Sequence, residues 1–244
     1  MASHLAAAFQ EAGLHIVGVY SPTPSHAGAF AKRFGCTVFD QVSDVVKDAD
    51  LVLLCVPDDR IGSIAGQIPV GKAIVAHTSG ITGIDRLNMH ERYGVFYPLQ
   101  TFSSERAVDM RQVPFCLEAS EEAVLEELTG LAGKISDSVR AIDSRERKSI
   151  HLAAVFVSNF PNYLYGIAND LLAQEGLDFS LLKPLISETS NKARDMEPDK
   201  AQTGPARRGD RETLETHLGM LAGSPEYKEL YSLITGQIRK KYHE

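Results

Sequence analysis

Two side chains able to carry a proton, Lys148 and His151, stand three residues apart in the segment KSIHLAAVFVSNFPNYLY. Steps of three or four carry that stripe on through Val155, Asn159 and Asn162, while Leu152, Phe156 and Phe160 fall on a neighbouring stripe of the same helix. A lysine or histidine partly withdrawn from water titrates close to working pH and suits general acid and base chemistry. The plain alternative is a first helical turn with Lys148 in water and His151 hydrogen-bonded in a domain interface. Pro161, inside the same segment, predicts a kink or a freed carbonyl. A second group is HTSG, with His77, Thr78 and Ser79, and no Gly-x-Ser-x-Gly elbow surrounds Ser79, which argues against a hydrolase nucleophile. A third is AQTGPARRGD, with Gln202, Thr203, Arg207 and Arg208. An arginine fork there suits a carboxylate or phosphate, or equally a salt bridge to the chain's own acidic surface. Cys36, Cys55 and Cys116 are odd in number and scattered, with no Cys-x-x-Cys, so reduced core thiols are expected and no metal site.

The elements that must position these groups follow from hydrophobic patterning. Short β-branched runs alternate with helical stretches from His15 to Asp143, the pattern of a parallel sheet flanked by helices. Strands are predicted at 15–20, 37–39, 51–56, 73–77, 94–97, 114–118 and 138–141, several without polar alternation, as strands buried on both faces require. After Ser144 the pattern is helical: 145–174, 179–196, 211–221 and 225–242, with EPDKAQTGPARRGD expected as an irregular exposed loop. The 244 residues suit one ordinary domain plus a smaller partner. A charge of −7 disfavours nucleic acid, and no apolar run is long enough to cross a bilayer. The start has no secretory-signal pattern, so the cytoplasm is expected, with small molecules as partners.

The opening, MASHLAAAFQEAGLHIVGVYS, reads as an amphipathic helix with Leu5, Ala6 and Phe9 on one face, Gly13 as its C-cap, and then a strand. A doubly wound nucleotide-binding fold instead begins with a strand and a glycine-rich turn that opens such a helix. The first strand and its glycines are therefore expected upstream of Met1; the alternative is an N-terminal helix in some other sheet.

Taken together, VVKDADLVLLCVPDDRI, AHTSG, GVFYPLQTFS, RKSIHLAAVFVSNFPNYLY and AQTGPARRGD resemble, over essentially the whole chain, one known family. It comprises Rossmann-like NAD(P)-binding proteins with a helical C-terminal domain of unknown function, the DUF2520 type. This family is similar to pyrroline-5-carboxylate reductase, prephenate dehydrogenase and the deazaflavin-dependent NADP oxidoreductases. Its members normally begin with a strand and a Gly-x-Gly-Asn turn, which this chain does not show.

The resemblance implies an α/β fold, a Rossmann-like doubly wound mainly parallel sheet plus a C-terminal all-helical domain. The boundaries are 1–143 for a cofactor-binding domain and 144–244 for a substrate and dimerisation domain. It implies an NAD(P)-dependent oxidoreductase that moves hydride to or from a small substrate able to carry a carboxylate, and a homodimer. The alternative function is a non-catalytic dinucleotide-binding sensor or dimeric regulator. Lys148 and His151 match the Lys-x-x-Asn or Lys-x-x-His opening of the interdomain helix in β-hydroxyacid dehydrogenases, where lysine exchanges a proton with substrate oxygen. Ligands in such folds lie beyond the carboxyl ends of the strands. Ser21 and Thr23, with His26 near, stand where NAD-preferring proteins put an acid, which favours NADP, although an ordinary hydroxyl turn reads as well. Val56, Pro57 and Asp58 would pass beneath the cofactor, with Asp58 or Asp59 capping the next helix. His77, Thr78 and Ser79 fall near the nicotinamide. Gln100, Thr101, Asn159, Asn162 and Arg207 are the expected substrate-side groups, and Tyr97 is either one more or core.

Overall fold

The computed structural model describes residues 1–46, 48–103 and 106–243. They divide into two compact units, Met1–Asn159 and Phe160–Glu244. The first unit therefore takes in the helix that follows Asp143, which the sequence assigned to the second domain.

In the first unit the chain runs α1 (Ala2–Glu11), β1 (Gly18–Val19), α2 (Pro24–Phe34), β2 (Thr37–Val38), β3 (Leu51–Leu54), α3 (Ile61–Ala65), β4 (Ile74–His77) and β5 (Tyr93–Pro98). It continues with β6 (Phe115–Ala119), α4 (Glu122–Gly133), β7 (Val139–Ala141) and α5 (Ser144–Ala154). All seven expected strands are present. They form a two-stranded ladder, β1-β2, and a five-stranded sheet in the order β3-β4-β5-β6-β7. Every pairing is parallel except β5 with β6, where Pro98 faces Phe115 and Gly94 faces Ala119. Among the described residues of the linker between those two strands there is only a 3₁₀ turn, and the chain re-enters the sheet at the end it left, which makes the pair antiparallel.

Burial explains the unalternated sequences. Along β4, Ile74 and Ala76 join Leu5, Phe9, Phe96, Phe115, Leu117 and Leu128 on one face. Val75 joins Leu54, Ile61, Ala65 and Leu87 on the other. The β1 and β3 segments share both clusters, through Ile16 with Leu53 and through Tyr20 with Val52. On β5, Phe96 faces the first cluster, while Val95 and Tyr97 meet Cys116 and Ile150 in a third. The same alternation on β6 sends Phe115 and Leu117 one way and Cys116, with Glu118, the other.

Local chemistry sets the helix ends. Gly35 closes α2 in the left-handed region, φ 65°, where a Cβ is unfavourable. Asp143 and Glu146 cap α5 reciprocally, the Glu146 amide donating to Asp143 at 2.7 Å and the Asp143 amide to Glu146 at 3.0 Å. Val155–Asn159 then adopt a π-helix. Pro161 has no amide proton and its ring crowds the carbonyl four residues back, which accounts for the widened turn. Because a π turn holds more residues than an α turn, the expected single stripe from Lys148 through Val155 to Asn159 and Asn162 does not persist.

The second unit contains α6 (Phe160–Gln174), α7 (Lys183–Asp195), α8 (Pro198–Ala201), α9 (Pro205–Arg208), α10 (Arg211–Met220) and α11 (Pro225–His243). The stretch expected to be irregular holds α8 and α9, each started by proline, with Gly204 and Gly209 at positive φ around the latter. Among the described residues, no helix is long and apolar enough to cross a membrane.

Candidate functional site

The turn after β4 is built from its own side chains. His77 is fully buried, and its Nδ1 accepts the Ser79 amide at 3.2 Å. Thr78 donates its hydroxyl to the Leu54 carbonyl at 3.3 Å. Ser79 Oγ accepts the amides of Ile81 at 3.2 Å and Thr82 at 2.9 Å and donates to Thr82 Oγ1 at 3.0 Å. The three polar groups that the sequence placed beside a nicotinamide are thus buried and shape the turn. Burial, reinforced by the Arg147 charge, pushes His77 down to about 4, so its ring is neutral near pH 7.

That turn carries Gly80 to the end of β5 and the first helical turns of α5. A Cβ on Gly80 would lie 2.5 Å from His151 Nδ1 and 2.9 Å from Tyr97 Cζ, so any other residue would force one of those rings to shift. Directly beside it, the Tyr97 hydroxyl and His151 Nδ1 are 3.2 Å apart, with the rings edge-on. Tyr97 is 7% exposed, and burial pushes its hydroxyl above the usual tyrosine range, with Cys116 adding and Arg147 opposing. His151 is half-buried.

One turn before His151 on the same helix lies Arg147, whose side chain is completely buried. Its guanidinium donates to the Thr82 carbonyl at 2.8 Å and to Ser144 Oγ at 3.1 Å, and pairs with Glu118 at 3.1 Å. Glu118 in turn accepts from the Ser144 amide at 3.1 Å and its hydroxyl at 2.8 Å. These contacts lock three pieces together: the β4 turn, β6 and the start of α5. Burial pulls Arg147 below its usual range, and the Glu118 carboxylate beside it works against that.

Lys148 points elsewhere. It is exposed and lines a cleft with Asp58, Asp59, Thr82, Asp85 and Arg86. The structure therefore separates Lys148 and His151 into a water-facing cation and a ring held at the strand ends. Asp58 and Asp59 sit in a 3₁₀ turn with no side-chain cap, so the expected capping role is not seen. Val56 is half-buried and Pro57 exposed. Ser21 accepts the Thr23 amide at 3.2 Å, the hydroxyl turn considered above, and His26 is exposed on α2. Gln100 and Thr101 are exposed just after β5, with Gln100 Oε1 accepting the Thr101 amide at 2.8 Å. Asn159 is exposed at the end of the π turn. In the second unit Asn162 is exposed on α6, and Arg207 stacks on the Tyr242 ring at 4.1 Å. Arg208 approaches Asp210 at 3.8 Å, and Gln202 bonds the Thr203 carbonyl at 2.9 Å. Among the described residues, no group of three or more His, Cys, Asp or Glu could hold a metal ion.

Sequence reasoning passed over Arg147, Glu118, Ser144 and Gly80. A signal for Arg147 existed: the D-S-R-E capping box fixes where α5 starts, and hence places Arg147 and His151, four apart, on one face. Gly80 had no such signal, because its need for a bare Cα comes from β5 and α5.

No curated protein matches the chain in sequence. A Bacteroides fragilis protein of solved structure, described as an NADP oxidoreductase, is 37% identical over 98% of this chain and 94% of its own, with a TM-score of 0.90. The 1-pyrroline-5-carboxylate reductase of Streptococcus pyogenes shares the fold at 12% identity, TM-score 0.63, covering 98% of this chain and 95% of that one. An imine reductase from Myxococcus stipitatus, solved with NADP+, shares it at 13% identity and TM-score 0.57, over 98% of this chain and 89% of that one. Residues 1–80 match the model described as NADP oxidoreductase, coenzyme F420-dependent. With residues 113–238 matching the domain of unknown function DUF2520 behind a Rossmann-like sheet, the chain belongs to the DUF2520 family.

Proposed function

We propose that this protein is an NADP-dependent oxidoreductase that transfers hydride to or from the carbon of a C=O or C=N bond in a small substrate able to carry a carboxylate. The observation that carries the reading is the Tyr97–His151 pair held against Gly80 at the carboxyl ends of β4 and β5, where such sheets bind their ligands. The residues present fit the cofactor. The end of β1 offers the hydroxyls of Ser21 and Thr23 and the uncapped first turn of α2, with no carboxylate between Tyr20 and His26 to repel a 2′-phosphate. Val56, Pro57 and Asp58 follow β3 on the same side, and His77, Thr78 and Ser79 hold the next turn in shape. When bound, the nicotinamide supplies or accepts the hydride. The proton falls to His151, with Lys148 the second candidate from its cleft. Gln100, Thr101 and Asn159 orient the substrate.

The working form is a homodimer. Of the described residues in the second unit, only Ala206, Leu214 and Leu221 are buried, while Tyr163, Leu181, Leu185 and Leu233 are each at least 60% exposed. A helical unit with so small a core needs a partner surface, which a second copy supplies symmetrically. The direct test is titration of NADPH and NADH into the full-length protein by nucleotide fluorescence, followed by a screen of 2-oxo acids and cyclic imines for NADPH consumption. Tight NADPH binding with turnover of one class is expected; binding of neither nucleotide would overturn the assignment.

A further inference from the structure

We propose that Tyr97 and His151 form a proton relay in which the Tyr97 hydroxyl donates to Nδ1 of His151 and the opposite nitrogen, Nε2, delivers its proton to the substrate heteroatom. This rests on the oxidoreductase reading above and deepens it by assigning Tyr97, which the strand alternation alone would class as core.

Four observations support the direction. The hydroxyl and Nδ1 lie 3.2 Å apart, and a phenol is a strong donor facing a strong nitrogen acceptor. With Nδ1 engaged as the acceptor, the ring N–H is on Nε2, which makes no hydrogen bond to the described residues. The ring packs against Gly80 together with Tyr97, and α5 is pinned by Arg147 one turn earlier. Burial of Tyr97 keeps its hydroxyl protonated at neutral pH, yet a phenol is still far more acidic than the alcohol that forms.

For a carbonyl substrate the step balances as follows. A bound reduced nicotinamide would supply the hydride to the substrate carbon, which leaves the C=O π pair on oxygen. That oxygen takes the Nε2 proton as the imidazole takes the Tyr97 proton at Nδ1; the cycle closes when Nε2 takes a proton from water and Nδ1 returns its proton to the phenolate. Tyr97 thus acts through His151, which touches the substrate; Gly80 provides the space both need.

The test has two arms. Side-chain ¹⁵N spectra of the full-length protein, with His151 assigned from its loss in His151→Asn, should show Nε2 protonated and Nδ1 a hydrogen-bonded acceptor. Tyr97→Phe should move Nδ1 toward the position of a free acceptor. A proton on Nδ1 in the parent, or an Nδ1 signal unmoved in Tyr97→Phe, overturns the relay. In the second arm, on the substrate found by the screen, Tyr97→Phe and His151→Asn should each lower kcat by roughly 100-fold or more with KM little changed. The double variant should be no slower than the slower single one, since both break one path. Multiplying losses would mean independent roles and sink the proposal. Absence of turnover with every substrate sinks the oxidoreductase reading and the relay with it, whereas turnover with an unmoved Nδ1 sinks the relay alone.

Discussion

Removing one member of the Arg147–Glu118 pair should damage the protein more than removing both. The Arg147 side chain is wholly buried and that of Glu118 is 16% exposed, so solvent screens the pair little. In Glu118→Leu the guanidinium keeps its bonds to the Thr82 carbonyl and Ser144 Oγ but loses the carboxylate it pairs with, and Ser144 loses the carboxylate that accepted from its amide and hydroxyl. An uncompensated buried charge of this kind destabilises by about 3–5 kcal/mol. For a chain of this length that corresponds to a fall in melting temperature of roughly 6–20 °C. The double variant Glu118→Leu with Arg147→Met removes both charges and fills the space with apolar volume, so it should recover most of that loss. Differential scanning calorimetry of the parent, both single variants and the double gives the coupling energy directly. Additive losses, with the double variant worse than either single one, would refute the view that the buried charges depend on each other. A double variant that is stable but inactive would show that the pair positions His151 as well as stabilising the unit.

Further predictions follow from the same geometry. Gly80→Ala forces a methyl into the Tyr97–His151 contact, so it should destabilise by about 1–3 kcal/mol and abolish the Nδ1 hydrogen bond; an unchanged ¹⁵N signature would contradict the close approach. His77 is lowered to about 4 in the fold against 6.5 unfolded, so the unfolded chain binds the extra proton first. Its contribution to stability is therefore present above pH 6.5 and lost as pH falls toward 4, by up to about 3 kcal/mol. His77→Gln should flatten that part of the stability–pH curve relative to the parent, and parallel curves would disprove it. Leu181→Glu with Leu185→Glu should convert a dimer to a monomer in sedimentation velocity, and a dimer that survives both charges would place the interface elsewhere.

Much of the scaffold was already present in the sequence. Apolar runs such as Leu51–Leu54 and Ile74–His77 are long enough and uninterrupted enough to be recognised as doubly buried strands, because that signal is local. The antiparallel β5-β6 pair was not readable in the same way, since direction depends on where the linker re-enters the sheet. Nor was the π turn, in which Pro161 overrides the three-and-four spacing that seemed to align Lys148 with Asn159.

The site divides along the same line. Residue type and spacing singled out Lys148 and His151, the hydroxyls at the end of β1 and the HTSG turn. Which of those groups face outward was settled by folding: the turn satisfies Thr78 and Ser79 internally, and α5 leaves Lys148 in water. Tyr97, Gly80, Glu118 and Arg147 come from four separate segments, and the local sequence left Tyr97 undecided and gave no function to the other three. They acquire one because strand alternation on β5 and β6 aims Tyr97 and Glu118 at the face that α5 covers, where burial makes each hydrogen bond and charge pair decisive. Sequence by itself determined the elements and their apolar faces, through forces acting between near neighbours; tertiary structure alone decided the partners, because they lie 17 to 71 residues apart along the chain.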